Sequence, residues 1–187
     1  YWLNSQPQSN DLNWVKIIDA NHIYAVGNNG TFMRSTDGGD TWLINSQAGV
    51  DEPSFGSGGT LRLNTAWFFD ANTGIVAGLS VSGDGGKIRR TTDGGMTFST
   101  TGLGLASGGA TVKDIYFINS TTGYLCGNSA VKIMKTTNAG LNWSVMPNIP
   151  AEASSFNCIY AKDENNISLG VSFNGMDRRI MRTTNAG

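Results

Sequence analysis

Short apolar runs separated by polar or glycine-containing segments recur along the whole chain. They come in pairs: WVKIIDA with HIYAVG, TAWFFDA with GIVAG, DIYFINS with GYLCG, and FNCIYAK with ISLGV. Such runs, rich in β-branched and aromatic residues and bounded by turn-forming residues, are typical of β-strands. A third run follows each pair, namely GTFMRST, GKIRRTT, VKIMKTT or RRIMRTT. This pattern predicts four units of short antiparallel strands and almost no helix.

Each third run leads directly into a polar segment that is repeated four times. The copies are RSTDGGDTW, RTTDGGMTF, KTTNAGLNW and RTTNAG, and we call this segment the box. Asp or Asn bonds a tight turn, glycine supplies positive φ, and Ser or Thr hydroxyls cap backbone amides. The box therefore predicts a hairpin turn, and we expect the large ring of its aromatic residue to pack between blades. The residues assigned to these turns are Ser35, Asp37, Gly39, Trp42, Thr91, Asp93, Gly95, Phe98, Thr136, Asn138, Gly140, Trp143, Thr183, Asn185 and Gly187.

The distance between boxes sets the size of the repeated unit. Asp37, Asp93, Asn138 and Asn185 lie 56, 45 and 47 residues apart, which is room for four short strands with their turns. Such a unit is typical of a propeller blade. We therefore predict an all-β fold, a single β-propeller segment of four-stranded antiparallel blades over residues 1–187. The predicted limits are 1–11 for the outer strand of a preceding or terminal blade, 12–47 for blade 1, 64–102 for blade 2, 111–148 for blade 3, and 155–187 for blade 4, which lacks its outer strand.

The two ends of the chain bear on whether the ring closes. YWLNSQ at residues 1–6 resembles TWLINSQ at residues 41–47. One interpretation is that Trp2 and its strand complete blade 4 and close a ring of four, which removes exposed sheet edges. The interpretation we favour is an arc of a larger ring, and the start at Tyr1 instead of Met indicates a processed or excised chain. An open arc predicts edge-to-edge self-association.

The boxes resemble the Asp-box, or bacterial neuraminidase, repeat Ser/Thr-x-Asp-x-Gly-x-Thr-Trp. The upstream pattern of Phe69, Asp70, Thr73, Gly74 and Gly78 looks most like the group of photosystem II assembly or stability factors and their secreted relatives. The resemblance covers nearly all of the chain. It implies a β-propeller in which the box is a structural turn on the face away from the ligand. It also implies a secreted, cell-surface or periplasmic location, or an organelle lumen.

The connections between strands vary in length on one side only. The surplus residues fall between the second and third strands and between the fourth strand and the next first strand, and both connections emerge opposite the boxes. Loops on one face of a rigid repeat scaffold commonly carry binding. The candidate ligand-binding residues on this face are Asp51, Glu52, Phe55, Arg62, Asp84, Asp177 and Arg178.

Three of these candidates are carboxylates in the loops of one blade, namely Asp51, Glu52 and Asp84. They suit a calcium site or an acid/base pair, and the alternative is a solvated, glycine-rich loop with incidental charges. A structural calcium has no further support, so we predict neither a metal nor a cofactor.

A basic residue also precedes each box: Arg34, Arg90, Lys135 and Arg182. These residues form either a row that binds an acidic partner or aliphatic stems that cover aromatic rings.

Composition narrows the range of partners. The chain of 187 residues is 39% hydrophobic and 14% charged with a net charge of -1, so it has no global field to attract nucleic acid. No apolar run is long enough for a membrane span, and we predict no membrane insertion.

Cys126 and Cys158 lie in apolar runs and are predicted to be buried. The alternatives are one disulfide or a reactive thiol.

No catalytic set is recognisable in the sequence. The Arg-Ile-Pro motif of sialidases is not present, and the two-aspartate cleft of xyloglucanase-like enzymes requires two propellers. We therefore predict a non-enzymatic binding or scaffold module that engages a protein or a glycan through the face opposite the boxes. The alternative is a fragment of a sialidase- or xyloglucanase-like glycoside hydrolase whose carboxylates near Asp51 and Asp84 act on a polysaccharide.

Overall fold

The computed structural model of the chain describes residues 10–45, 61–80, 85–99, 111–128, 131–173 and 177–185. These residues form β-strands and one three-residue 3-10 turn, Asn28–Gly30, so the prediction of almost no helix is confirmed for them. In chain order the strands are β1 Leu12–Ile17, β2 Ile23–Gly27, β3 Phe32–Ser35, β4 Leu43–Asn45, β5 Leu61–Phe68, β6 Gly74–Ser80, β7 Gly85–Thr91, β8 Thr111–Phe117, β9 Gly123–Asn128, β10 Ile133–Thr136, β11 Ser144–Val145, β12 Ala153–Ala161, β13 Ile167–Phe173 and β14 Arg178–Thr183.

The strands pair with their sequence neighbours into four antiparallel blades. Blade 1 contains β1 to β4, blade 2 contains β5 to β7, blade 3 contains β8 to β11, and blade 4 contains β12 to β14. In blade 2 the described residues of the outer strand contribute one bridge, between Arg90 and Ser99. A single pairing of Ser155 with Asn128 joins the sheets of blades 3 and 4. Because consecutive strands within each blade pair, each blade is a meander, as the sequence pattern predicts.

The outer strands begin slightly later than the pattern predicts. The sequence places the start of each fourth strand at the box aromatic, whereas β4 begins at Leu43 and β11 begins at Ser144. Trp42 is still part of the turn, because its Nε1 donates a hydrogen bond to the Gly39 carbonyl oxygen at 3.0 Å. Trp42 therefore closes its turn, and β4 follows it.

The box turns and the turns between first and second strands lie at the same end of the blades. The Gly38 amide donates to the Asn21 carbonyl oxygen at 2.9 Å, and the Ala139 amide donates to the Thr121 carbonyl oxygen at 2.8 Å. We call this end the box face. The meander places the other connections at the opposite end, which we call the loop face. Arg62, at the start of β5, belongs to the loop face.

The core consists of three apolar clusters, each located between two successive blades. Tyr24 and Phe32 of blade 1 pack against Leu63 and Phe68 of blade 2. Further clusters join blade 2 to blade 3 and blade 3 to blade 4. Among the described residues neither a cluster nor a strand pairing joins blade 4 to blade 1. The described blades therefore form an open arc, in which every blade interface is an apolar sandwich of two sheets.

Candidate functional site

The box side chains are used within their own turns. The Ser35 hydroxyl donates to Asp37 Oδ1 at 2.8 Å and accepts from the Gly39 amide at 2.8 Å. The Thr41 hydroxyl and amide donate to the two oxygens of Asp37 at 2.5 and 2.9 Å. These bonds, led by that of the Thr41 hydroxyl, lower the pKa of Asp37 to about 2. A carboxylate held in this way stays ionised and stabilises the turn.

The same geometry recurs in the other boxes. Thr91 donates to Asp93 at 2.8 Å, Thr136 donates to Asn138 at 2.9 Å, and Thr183 donates to Asn185 at 2.8 Å. Asn138 accepts from the Asn142 amide at 2.9 Å, as Asp37 accepts from Thr41. An Asn oxygen therefore replaces one carboxylate oxygen of the turn, although an amide cannot also accept through its nitrogen.

The basic residues before the boxes reach across blade boundaries. Arg90 Nη1 donates to the Ala139 carbonyl oxygen in the box of blade 3 at 2.6 Å. Lys135 Nζ pairs with Glu164 of blade 4 at 2.8 Å. Arg182, in the last blade, donates to Asn166 of its own blade at 3.1 Å. The heads of Arg90 and Lys135 therefore fasten one blade to the next, and neither is part of a free cationic row.

A β-bulge lies at the same position of all four first strands. The pairing register shifts around Asn13 in β1, Asn64 in β5, Lys113 in β8 and Asn157 in β12. A bulge inserts an extra residue into one strand and redirects its side chain. These four residues therefore occupy one repeated position near the loop face, and we call them the bulge residues.

A glycine on the second strand allows the first three bulges to form. A β-carbon at Gly27, Gly78 or Gly127 would lie 2.0, 1.7 or 1.9 Å from a backbone carbonyl oxygen of the bulged strand. No side chain fits at such a distance, so these three positions require glycine. This requirement explains the glycine that ends each of the runs HIYAVG, GIVAG and GYLCG.

The first three bulge residues donate hydrogen bonds to the following blade. Asn13 Nδ2 donates to the Leu63 carbonyl oxygen at 2.7 Å, and Asn64 Nδ2 donates to the Val112 carbonyl oxygen at 2.7 Å. Lys113 Nζ donates to Ser155 Oγ and to Asn157 Oδ1, both at 2.7 Å. The first strands are thus adjacent to one another along the inner edge of the arc, with a polar row between them.

A groove of about 310 Å³ opens on the loop face at this row, between blades 2 and 3. Its lining residues are Arg62, Asn64, Leu79, Thr111 and Lys113, and we call it the loop-face groove. Arg62 is exposed, and its Nε donates to Asn28 Oδ1 at 2.9 Å. The groove therefore combines two cations, two small polar side chains and one apolar side chain.

The predicted ligand-binding residues have different outcomes in the structure. Arg62 lines the groove, whereas Asp177 and Arg178 lie on blade 4 at the start of β14. Asp177 pairs with Arg179, whose guanidinium lies over the Phe173 ring. Asp51, Glu52, Phe55 and Asp84, and also Gly187 of the last box, lie outside the described residues. The roles of all these residues stay predictions.

Sequence reasoning missed Asn64 and Lys113, and a signal for them was present. In β5, β8 and β12 the buried residues of one face follow the spacing i, i+3, i+5, as in Leu63, Ala66 and Phe68. A regular strand buries i, i+2 and i+4, so the extra residue marks a bulge directly after the first buried position.

One carboxylate near the row is half-buried. Asp114 Oδ2 accepts from the Ile159 amide of blade 4 at 3.0 Å, and Oδ1 accepts from the Ile115 amide at 2.9 Å. Burial raises the pKa of Asp114 above its ordinary value despite these bonds. Both oxygens are engaged by backbone amides, so Asp114 acts as a link between blades 3 and 4.

The two cysteines differ in their surroundings. Cys126 is buried, and burial raises the pKa of its thiol. Cys158 is exposed, so the prediction that both thiols are buried is wrong for Cys158. The bulge at Asn157 shifts the alternation, which buries Phe156 and Ile159 and turns Cys158 to the other face of blade 4. Both thiols are free, so the two cysteines form no disulfide.

The described residues show neither a metal-binding cluster nor a membrane-spanning helix. They contain no group of three or more His, Cys, Asp or Glu side chains that could hold a metal ion. The described part of the chain also contains no helix that is long and apolar enough to cross a membrane.

No protein-family profile matches the chain, and no curated protein is significantly similar to it. Solved structures do match. The structure described as YCF48 bound to D1 peptide is 22% identical with a TM-score of 0.58, over 94% of this chain and 54% of that chain. YCF48 from Cyanidioschyzon merolae is 19% identical with a TM-score of 0.60, over 89% of this chain and 52% of that chain. An ancestral GH74 enzyme is 19% identical with a TM-score of 0.66, over 94% of this chain and 25% of that chain.

These likenesses establish the architecture. The chain has an all-β, β-propeller fold, and the prediction of this fold class is confirmed. It spans about half the length of the YCF48 chains and a quarter of the GH74 chain that it matches. At these identities the likeness shows the fold alone.

Proposed function

We propose that this chain is a non-enzymatic binding module that engages a protein segment through the loop face, at the loop-face groove. The observation that carries the proposal is the convergence of Arg62 and Lys113 on one groove between two blades. One solved structure with this fold, YCF48, is bound to a D1 peptide, which supports a protein as the ligand class. The resemblance of the boxes to those of photosystem II assembly factors supports the same class.

The charged side chains of the groove, Arg62 and Lys113, are hydrogen-bond donors. Lys113 Nζ has three protons and uses two of them toward Ser155 and Asn157, so one remains for a ligand. Arg62 uses Nε toward Asn28, and its side chain is exposed. Carboxylates and backbone carbonyl groups satisfy such donors, and Leu79 offers an apolar contact. We therefore infer an acidic, extended peptide segment as the preferred ligand.

The glycosidase alternative has weaker support. Retaining and inverting glycosidases place two carboxyl groups about 5 to 9.5 Å apart across the scissile bond. Among the described residues Asp114 is the one carboxylate with a raised pKa, and backbone amides occupy both of its oxygens. The alternative therefore depends on Asp51 and Asp84, which lie outside the described residues, and on the GH74 likeness, which shows the fold alone.

Fluorescence anisotropy with matched peptides tests the proposal. The probe is a labelled nonapeptide that contains four Glu residues, and its control carries Gln at the same positions. Hydrogen bonds to charged groups contribute about 1.5–3 kcal/mol each, so Arg62→Gln and Lys113→Gln should each weaken binding by roughly tenfold or more. Lys162→Gln, which removes a lysine after β12 at the box face, is the matched control and should bind as the wild type does.

Two results would contradict the proposal. One is equal affinity of the wild type for the acidic peptide and its Gln counterpart, or equal losses in the groove variants and Lys162→Gln. The other is release of reducing sugars from xyloglucan by the wild type, which would support the glycosidase alternative. Binding of xyloglucan oligosaccharides without turnover would identify a glycan as the ligand class instead of a protein.

We further propose that the protein acts outside the cytoplasm, in a secreted, cell-surface, periplasmic or lumenal setting. The resemblance of the boxes to those of secreted propellers supports this location. Fractionation of cells that express the tagged protein tests it, and recovery in the cytoplasmic fraction alone would contradict it.

A further inference from the structure

Asn64 is the groove residue whose side chain bonds across the boundary between blades 2 and 3. Its Nδ2 donates to the Val112 carbonyl oxygen of blade 3 at 2.7 Å. The described bonds of the two cations lead to other blades, because Arg62 donates to Asn28 of blade 1 and Lys113 donates to residues of blade 4. The polar head that lies at the boundary of the loop-face groove is therefore the Asn64 amide.

The Asn64 amide has hydrogen-bonding groups that the fold does not use. A side-chain amide carries two N–H donors and one oxygen acceptor. The bond to Val112 takes one donor, and among the described residues the second donor and Oδ1 have no partner. Asn64 is partly buried and lines the groove. It therefore offers one donor and one acceptor, side by side, to a ligand in the groove.

Asn13, the equivalent bulge residue of blade 1, makes the same bond but has a different neighbour. Its Nδ2 donates to the Leu63 carbonyl oxygen at 2.7 Å and also to Asn28 Oδ1 at 3.1 Å. Asn28 directly follows the required glycine of its second strand, and the residue at that place in blade 2 is Leu79. An apolar side chain accepts no hydrogen bond, so Asn64 lacks the partner that its equivalent has.

The place of Leu79 is polar in the other described blades. In blade 3 it is Asn128, whose Oδ1 accepts from the Thr111 amide at 2.7 Å. In blade 4 it is Ser172, whose hydroxyl accepts from Asn157 Nδ2 at 3.0 Å. A polar side chain at this place thus bonds the first strand of its own blade, and blade 2 is the exception among the described blades. The loop-face groove lies where this bond is missing.

We propose that Asn64 binds the main chain of the peptide ligand, with Oδ1 accepting from a ligand N–H and the second Nδ2 proton donating to a ligand carbonyl oxygen. In an extended chain the N–H and C=O of one residue point to the same side, so one amide engages both. This inference rests on the proposed function and names the part of the ligand that the groove recognises. Arg62 and Lys113 then select acidic side chains, and Asn64 selects an extended backbone beside them.

Alanine variants of two equivalent bulge residues separate recognition from stability. Asn64→Ala and Asn13→Ala each remove a 2.7 Å bond to the next blade, so their urea midpoints should fall by similar amounts. Binding of the labelled Glu nonapeptide should weaken roughly three- to tenfold in Asn64→Ala and should equal that of the wild type in Asn13→Ala. Asn28 keeps its place in this control, because its Nδ2 donates to Asp11 Oδ2 at 3.0 Å.

Peptides methylated at one backbone nitrogen at a time test whether Asn64 binds the main chain. Methylation at the contacted residue should weaken wild-type binding by roughly fivefold or more, because the ligand loses an N–H donor. The same methylation should cost less in Asn64→Ala, where the acceptor is already absent. A merely structural role of Asn64 does not change the response to methylation.

A second variant closes the groove instead of truncating it. Leu79→Asn supplies Asn64 with the kind of partner that Asn28 supplies to Asn13. The second Nδ2 proton of Asn64 is then used within blade 2, and peptide affinity should fall while the bond to Val112 is retained. Wild-type affinity in Leu79→Asn contradicts the argument that the free amide groups bind the ligand.

The outcomes distinguish this inference from the proposed function. If the Glu peptide binds and Asn64→Ala loses no more affinity than Asn13→Ala, the inference is overturned and the proposed function stands. Equal responses of wild type and Asn64→Ala to every methylated peptide also overturn it. If the Glu and Gln peptides bind equally and Asn64→Ala weakens both, the acidic preference fails and the inference stands. A wild type that binds neither peptide overturns both, as does one that binds only xyloglucan oligosaccharides.

Discussion

Replacing Gly78 by alanine tests whether the bulge in β5 depends on the glycine opposite it. A β-carbon at Gly78 would lie 1.7 Å from the Arg62 carbonyl oxygen and 2.8 Å from its carbonyl carbon. Ordinary contact begins at 3.4 Å, and both atoms belong to the backbone. Because no side-chain rotation relieves this clash, β5 or β6 must move and the bulge must change.

The expected loss of stability follows from two contributions. Overpacking in a well-packed site costs about 1–3 kcal/mol. Movement of β5 also breaks the 2.7 Å hydrogen bond from Asn64 to the Val112 carbonyl oxygen, which contributes about 1 kcal/mol. We therefore expect Gly78→Ala to lower the free energy of unfolding by about 2–4 kcal/mol.

Urea unfolding followed by far-UV circular dichroism measures this loss. With a slope of about 2 kcal/mol/M, the midpoint should fall by about 1–2 M while the slope stays unchanged. Gly170→Ala is the matched control, because its β-carbon would meet Cys158 Sγ at 2.6 Å, and the exposed Cys158 side chain can rotate away. Equal midpoints for the two variants would refute the argument that a backbone approach fixes Gly78.

Other single substitutions test the box turns, the link between blades 3 and 4, and the packed rings. The hydrogen bonds that lower the pKa of Asp37 to about 2 stabilise the fold above the ordinary pKa of 3.8, and this stability is lost as pH falls toward 2. Asp37→Asn should flatten that part of the urea-unfolding profile, and an unchanged slope would contradict the assignment. For Asp114 stability depends on pH in the opposite direction, because its pKa is raised in the folded protein. The contribution of this group to the free energy of unfolding is fully present below pH 3.8 and is lost as pH rises through the raised pKa. Asp114→Asn should therefore remove this decline in stability. Trp143 is partly buried, so Trp143→Ala should cost about 2–3 kcal/mol, below the range for a fully buried ring, while Trp143→Phe should retain most of the stability because Phe98 fills the equivalent place in blade 2. Similar losses for both Trp143 variants in urea unfolding would show that the ring does not pack as described.

The strand order and the turns could be predicted because their causes are local. A turn such as Ser35-x-Asp37-x-Gly39 is specified by side chains that bond within five residues, so its chemistry is visible in the sequence. Repetition of that turn at a nearly constant spacing then sets the number of strands between turns. The all-β fold and the meander in each blade follow directly.

The loop-face groove could not be predicted, because it arises from pairs of strands and pairs of blades. Asn64 and Lys113 become neighbours only because both first strands are bulged at the same position. The exposure of Cys158 has the same origin, since one extra residue reverses the face that a strand residue occupies. Strict alternation in FNCIYA therefore assigns Cys158 to the wrong face.

The bulge residues connect the candidate site to the cohesion of the arc. Asn13, Asn64 and Lys113 each bond the next first strand, so the polar row that lines the groove also holds adjacent blades together. Arg62 belongs to blade 2 and Lys113 belongs to blade 3, so a ligand that binds both spans a blade boundary. Such a ligand opposes the separation of these blades in addition to occupying the groove. If the proposed function holds, recognition at the loop face and stability of the blade interface are coupled through the same side chains.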